Sequence, residues 1–168
     1  MGFGDSGEKG CMIPEDLKKS LQARVASAVT AREAAVDVMK ELQVHYGWLT
    51  DEAVGEAAEL LGLSTLQVDE IATFYEMIYR RPVGKKVIHV CDSISCWCAG
   101  FERIMDHLKK RLGVEIGQTT ADGAFTLLPC CCMGMCGDSP AMAVGGNLYE
   151  SVTPEMVDEI LEREKLKA

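Results

Sequence analysis

"FTLLPCCCMGMCGD", Phe125 to Asp138, runs from a compact apolar segment straight into four cysteines within seven positions, with no charged side chain before Asp138. Phe125 to Leu128 has the length and composition of a buried strand. The thiols therefore stand in the loop at a strand's end, and the same join recurs upstream. Val87 to Cys91 is a second apolar run, with Cys96 and Cys98 close behind it. Ala141 to Val144 leads through "GGN" into Leu148 to Glu150, the pattern of a hairpin. Between these runs lie two helical stripes, one of Phe101, Ile104, Met105, Leu108 and Leu112 before Gly113, the other of Val157, Ile160 and Leu161 behind Thr153-Pro154. This half reads as α/β, with helices covering a small mixed sheet.

Upstream the period changes to helical. Leu17, Leu21, Val25 and Val29 recur every fourth residue, and Thr30 with Glu33 forms a capping box that opens a second helix, running to about Tyr46. Gly47 stops it, Thr50 with Asp51 and Glu52 starts a third, and Gly62 caps that one. Ser64 with Gln67 opens a fourth, whose stripe of Val68, Ile71, Tyr75 and Ile78 continues to Pro82. Trp48, Phe74 and Tyr75 are expected to pack in the core or between domains rather than to line a cofactor site. The whole chain is thus α+β: a tail at residues 1–13, a four-helix bundle at 14–80, a linker at 81–86 and an α/β domain at 87–168.

A chain of 168 residues with 48% hydrophobic side chains can bury a core without staples. No apolar run is long enough to cross a bilayer, and a secretory h-region is absent from the start, so the expectation is a cytoplasmic protein without direct membrane insertion. "MGFGDS" at residues 1–6 matches a myristoylation pattern but reads more simply as part of a glycine-rich tail. The net charge of -9 argues against nucleic acid as a partner. The densest basic group, Arg80, Arg81, Lys85 and Lys86, is expected to be a solvated linker rather than a docking patch.

Eight cysteines in a reducing compartment point to metal ligation or redox chemistry before disulfides. Cys11 stands apart in the tail; Cys91, Cys96, Cys98, Cys130, Cys131, Cys132 and Cys136 fall in the second half. No two cysteines are separated by two residues, so the C-x-x-C step of zinc knuckles, thioredoxin redox sites and bacterial ferredoxin runs is missing. What remains is C-x4-C at Cys91 and Cys96, thirty-five intervening residues, and C-x3-C at Cys132 and Cys136. Two loops each offering two thiolates suit a binuclear iron-sulfur cluster, in which each iron takes two, although spacing alone leaves zinc open. Cys98, Cys130 and Cys131 have a simpler reading as small buried hydrophobes. The histidines do not compete: His89 sits within a strand, and His45 and His107 read as helix-surface residues. A dinucleotide fingerprint and a P-loop are both absent.

"HVCDSISCWCAGFE" and "GQTTADGAFTLLPCCCMGMCGDSPAMAV" resemble the thioredoxin-like [2Fe-2S] ferredoxin family. "YGWLTDEAVGEAAELLGLSTLQVDEIATFYEMIYRRPVGK" resembles the helical region that precedes that domain in the small iron-sulfur subunits of NADH-dehydrogenase modules. The likeness covers the chain from about residue 30 onward. It implies that Cys91, Cys96, Cys132 and Cys136 hold one [2Fe-2S] cluster, with Cys98, Cys130 and Cys131 as extra thiols and Cys131 the obvious substitute for Cys132. It also implies an electron carrier: a subunit of an NADH dehydrogenase without an NADH site of its own, exchanging single electrons with the FMN of a partner flavoprotein subunit that holds both FMN and NADH. Related subunits serve soluble NAD-linked hydrogenases and formate dehydrogenases, and a structural zinc module is the reading outside electron transfer. In the first case the chain is peripheral to the inner membrane through partner subunits. Gly134, Gly137 and the helix after Cys96 are expected to aim amides at sulfur.

Overall fold

The computed structural model describes residues 13–166, and the chain divides after Pro82 into two compact units. The expected tail, with Cys11 and the "MGFGDS" pattern, lies outside the described residues except for Ile13, which packs against the helical core.

The first unit holds α1 (Glu15–Ser27), α2 (Ala31–Tyr46), α3 (Asp51–Leu61) and α4 (Thr65–Phe74). Its core is built from Leu21 of α1, Val38, Met39 and Leu42 of α2, Ala53, Ala57 and Leu61 of α3, and Val68 and Ala72 of α4. The cap signals work as local chemistry requires. Thr30 and Thr50 accept amides of the first turns of α2 and α3, Gly47 and Gly62 close those helices in the left-handed conformation, and Ser64 with Gln67 forms a complete capping box. At Thr30 the reciprocal bond is displaced by one residue, because the Glu33 carboxylate accepts the N–H of Val29 rather than that of the cap. This turn ends α1 at Ser27 and leaves Val29, expected on its apolar stripe, 91% exposed.

The fourth helix is shorter than its stripe suggests, ending at Phe74 instead of near Pro82. The side chain of Gln43, on α2, explains the difference: its amide donates to the Met77 carbonyl at 3.0 Å and accepts the Tyr79 N–H at 2.6 Å. The Tyr79 carbonyl in turn accepts the Leu49 amide. The Met77 carbonyl and both backbone groups of Tyr79 thus find partners on other segments, which offsets the helical bonds forgone there. Ile78 still reaches the core, but Phe74 is 81% exposed and Tyr75 also faces solvent, so neither belongs to the helical core.

Of the basic group, Arg81 and Lys85 are exposed as expected of a solvated segment, while Arg80 and Lys86 are half-buried. Arg80 pairs with Asp51 and Asp69 and donates to the Leu49 carbonyl, and Lys86 donates to the buried Glu164.

The second unit carries β1 (Lys86–Cys91), α5 (Ile94–Cys98), α6 (Phe101–Leu112), β2 (Phe125–Cys130), a short 3-10 turn at Cys136–Asp138, β3 (Met142–Val144), β4 (Asn147–Tyr149) and α7 (Pro154–Leu166). The sheet order is β2-β1-β3-β4; β1 and β2 run parallel, while β1–β3 and β3–β4 are antiparallel. The β3–β4 turn is Gly145-Gly146 with positive φ at both, the geometry that matches strand twist in a two-residue hairpin. Ile88 and Val90 of β1 and Phe125 and Leu127 of β2 share a core with Ile104, Met105 and Leu108 of α6 and Val157, Ile160 and Leu161 of α7. Alternation puts Val87, His89 and Cys91 on the other side of β1, and they too are buried. No helix among the described residues is long and apolar enough to cross a membrane.

Candidate metal centre

Cys91 is the last residue of β1 and Cys130 the last of β2, and the two are register partners across the parallel pair. The strand ends are held together beyond the ladder: Asp92 N–H donates to the Cys130 carbonyl and Cys91 N–H to that of Ala141, each at 3.0 Å. From this edge two loops depart. One enters α5, which carries Cys96 and Cys98; the other carries Cys131, Cys132 and, at the start of the 3-10 turn, Cys136.

These loops bring Cys91, Cys96, Cys132 and Cys136 into mutual contact. The Cys91 thiol lies beside those of Cys96 and Cys132, and Cys132 and Cys136 stand with sulfurs 3.3 Å apart. Two pairs from two loops therefore share one site. Among the described residues no three His, Cys, Asp or Glu side chains are grouped so as to hold a single metal ion.

The pairs differ in environment. Cys91 and Cys96 are each 2% exposed and pack with Cys130 and Ala141, with Met133 and Met135 at the edge of that apolar floor, whereas Cys132 and Cys136 face solvent. Burial pushes the Cys91 thiol above its ordinary range, against the opposing pull of amides from Ser93 and Met133. The N–H of Gly134 donates to Cys132 Sγ at 3.4 Å and, with Cys136 beside it, holds Cys132 below that range. Cys136 is raised, chiefly by its contact with Cys132. Hydroxyls stand nearby, Ser93 beside Cys132 and Ser95 beside Cys136, and each pulls its thiol down.

Gly134 has φ of +85°, which aims its amide at sulfur as the sequence suggests, while Gly137 has no such conformation. The helix expected after Cys96 is α6, and a one-turn helix, α5, opens before it at Ile94, so that Cys96 sits inside α5. Of the three extra thiols only Cys130 is the buried hydrophobe expected of all of them; Cys98 and Cys131 are exposed. His89 is buried within β1, and His107 on α6 lies 3.2 Å from Asp158. The serines were not legible as site residues, because a hydroxyl near a cysteine in sequence carries no signal until the loops fold over each other.

Four sulfurs in two pairs, with amide and hydroxyl donors around them, fit a binuclear cluster in which each iron takes two thiolates and the anionic whole needs hydrogen-bond donors.

The thioredoxin-like [2Fe-2S] ferredoxin family matches residues 21–165. The chain is 38% identical over 151 residues to the E subunit of the NADH-quinone oxidoreductase of Pseudomonas aeruginosa, covering 90% of this chain and 91% of the relative. It is 42% identical over 134 residues to the Escherichia coli protein of the same name, covering 80% of this chain and 81% of the relative. Among solved structures, the NAD+-reducing [NiFe]-hydrogenase in its air-oxidized state shares the fold, with a TM-score of 0.65 and 22% identity over 77% of this chain and 23% of that one. With its matched region spanning both units, this chain belongs to the thioredoxin-like [2Fe-2S] ferredoxin family.

Proposed function

We propose that the chain is the electron-transfer subunit of an NADH-quinone oxidoreductase, holding one [2Fe-2S] cluster on Cys91, Cys96, Cys132 and Cys136. The observation that carries this reading is the meeting of two thiol pairs from two loops, one pair buried and one exposed. When bound, such a cluster supplies a one-electron couple. Cys91 and Cys96 anchor it from the dry side, Cys132 and Cys136 form its solvent-facing edge, and the Gly134 amide and the nearby serine hydroxyls stabilise the negative charge on sulfur. The chain is an oxidoreductase subunit that works on electrons delivered by a partner: a flavoprotein subunit binding FMN and NADH.

Support for the quinone-linked assembly comes from the NADH-quinone oxidoreductase relatives, matched over most of their length. The alternative of a soluble hydrogenase has only a shared fold behind it. We read α1–α4 as a small four-helix bundle that docks on neighbouring subunits, with the exposed Phe74 and Leu66 as its apolar contacts, and the chain as peripheral to the membrane through those subunits.

The test is electron paramagnetic resonance on the anaerobically purified full chain before and after dithionite, with iron and sulfide counted on the same sample. A signal seen only after reduction, with about two irons and two sulfides per chain, is expected. One zinc per chain and no signal overturns the reading in favour of a structural module.

A further inference from the structure

Ser139 stands between the two cysteine loops. Its Oγ accepts the S–H of Cys96 at 3.5 Å, while its own O–H donates to the Cys136 carbonyl at 3.2 Å. A hydroxyl has one hydrogen and two lone pairs. That arrangement is satisfied only while Cys96 keeps its proton. As an iron ligand Cys96 is a thiolate with no hydrogen to give. An unturned Ser139 would then aim a lone pair at a negative sulfur.

The two acceptors competing for the Ser139 hydrogen differ in their access to water. Cys96 is 2% exposed, and solvent cannot take the place of a lost donor there. Cys136 lies on the exposed side, where water can satisfy its carbonyl. The backbone on either side of Ser139 is held, by Ser151 N–H on the Asp138 carbonyl and Val152 N–H on that of Pro140, so the change asks only for rotation of one hydroxyl.

Resting on the reading that Cys96 is a cluster ligand, we infer that Ser139 is a positioning residue that sets the reduction potential of the site by turning its O–H from the Cys136 carbonyl to Cys96 Sγ when Cys96 binds as thiolate. Reduction adds one electron to the sulfur-bound centre and neither makes nor breaks a covalent bond. The O–H bond to sulfur strengthens as negative charge on sulfur grows. Ser139 therefore favours the reduced form and raises the potential.

The experiment is a redox titration followed by electron paramagnetic resonance on the full chain carrying its cluster, for wild type, Ser139→Ala, Ser139→Gly and Ser139→Thr, with exchangeable-deuteron couplings read by pulsed methods in heavy water. In Ser139→Ala and Ser139→Gly the equilibrium constant for reduction is expected to fall about tenfold, which for one electron is about 59 mV. One exchangeable coupling should vanish with it, and Ser139→Thr, which keeps the hydroxyl, should return both to the wild-type values. An unshifted potential in the alanine and glycine variants overturns the inference, as does an equal shift in the threonine variant. Loss of the cluster from both hydroxyl-free variants overturns it as well, because Ser139 would then hold the site together rather than tune it. A wild-type chain without iron or sulfide is a different failure, that of the cluster reading itself.

Discussion

Lys86 Nζ, at the start of β1, lies 2.9 Å from Glu164 Oε2, near the end of α7, and Glu164 is 1% exposed. Lys86 also donates to the Glu164 backbone carbonyl at 2.7 Å, and the Tyr149 O–H donates to the other carboxylate oxygen at 3.1 Å. The first strand, the last strand and the last helix of the second unit are thereby tied at one buried charge.

Removing one partner of such a pair leaves the other charge uncompensated. Lys86→Met is expected to destabilise the second unit by about 3–5 kcal/mol, whereas the double variant Lys86→Met/Glu164→Met should recover most of the loss. Urea unfolding of the single and double variants checks this. Equal losses in the two would show that the charge pairing is not the source.

Gln43→Leu removes the amide that serves both Met77 and Tyr79. With two backbone groups left to water or to no partner, the expected cost is about 1–3 kcal/mol. The Tyr79 amide should exchange its hydrogen faster while amides of β1 keep their wild-type rates. Unchanged exchange at Tyr79 would remove Gln43 from the account of why α4 ends at Phe74.

Asp158 is held below the usual carboxylate range by its hydrogen bond to His107, with the Arg111 guanidinium acting in the same direction. A carboxylate whose folded pKa lies below its unfolded value, about 3.9, adds stability that is present above the unfolded value. That stability is lost as pH falls through the folded pKa. Asp158→Asn should therefore be less stable than wild type at neutral pH, and the gap should close below about pH 4. The site is half-exposed, so added salt should narrow the gap at neutral pH. A gap independent of pH would assign the effect to packing.

Among the thiols the structure separates neighbours that the sequence leaves adjacent. Cys132→Ser is expected to lower iron content and to alter the reduced signal, while Cys131→Ser and Cys98→Ser should retain about two irons per chain with the wild-type signal. Iron and sulfide analysis of the three variants decides it. If Cys131→Ser loses iron and Cys132→Ser does not, the exposed loop uses the other thiol.

What the sequence determined by itself was largely what acts at short range. Thr30, Thr50, Ser64 and the glycines at 47 and 62 act within one turn of their own helices, and those boundaries were legible. The strands were legible from apolar runs, and the C-x4-C and C-x3-C pairs from their spacing. What only the tertiary structure decided involves partners far apart in the chain. Gln43 meets Tyr79 across 36 positions, Lys86 meets Glu164 across 78, and Cys96 meets Ser139 across 43. A side chain's preference for helix or strand is set by its immediate backbone, so it leaves a local trace. A hydrogen bond across the fold leaves none, because its strength depends on burial and distance that exist only once each unit has folded.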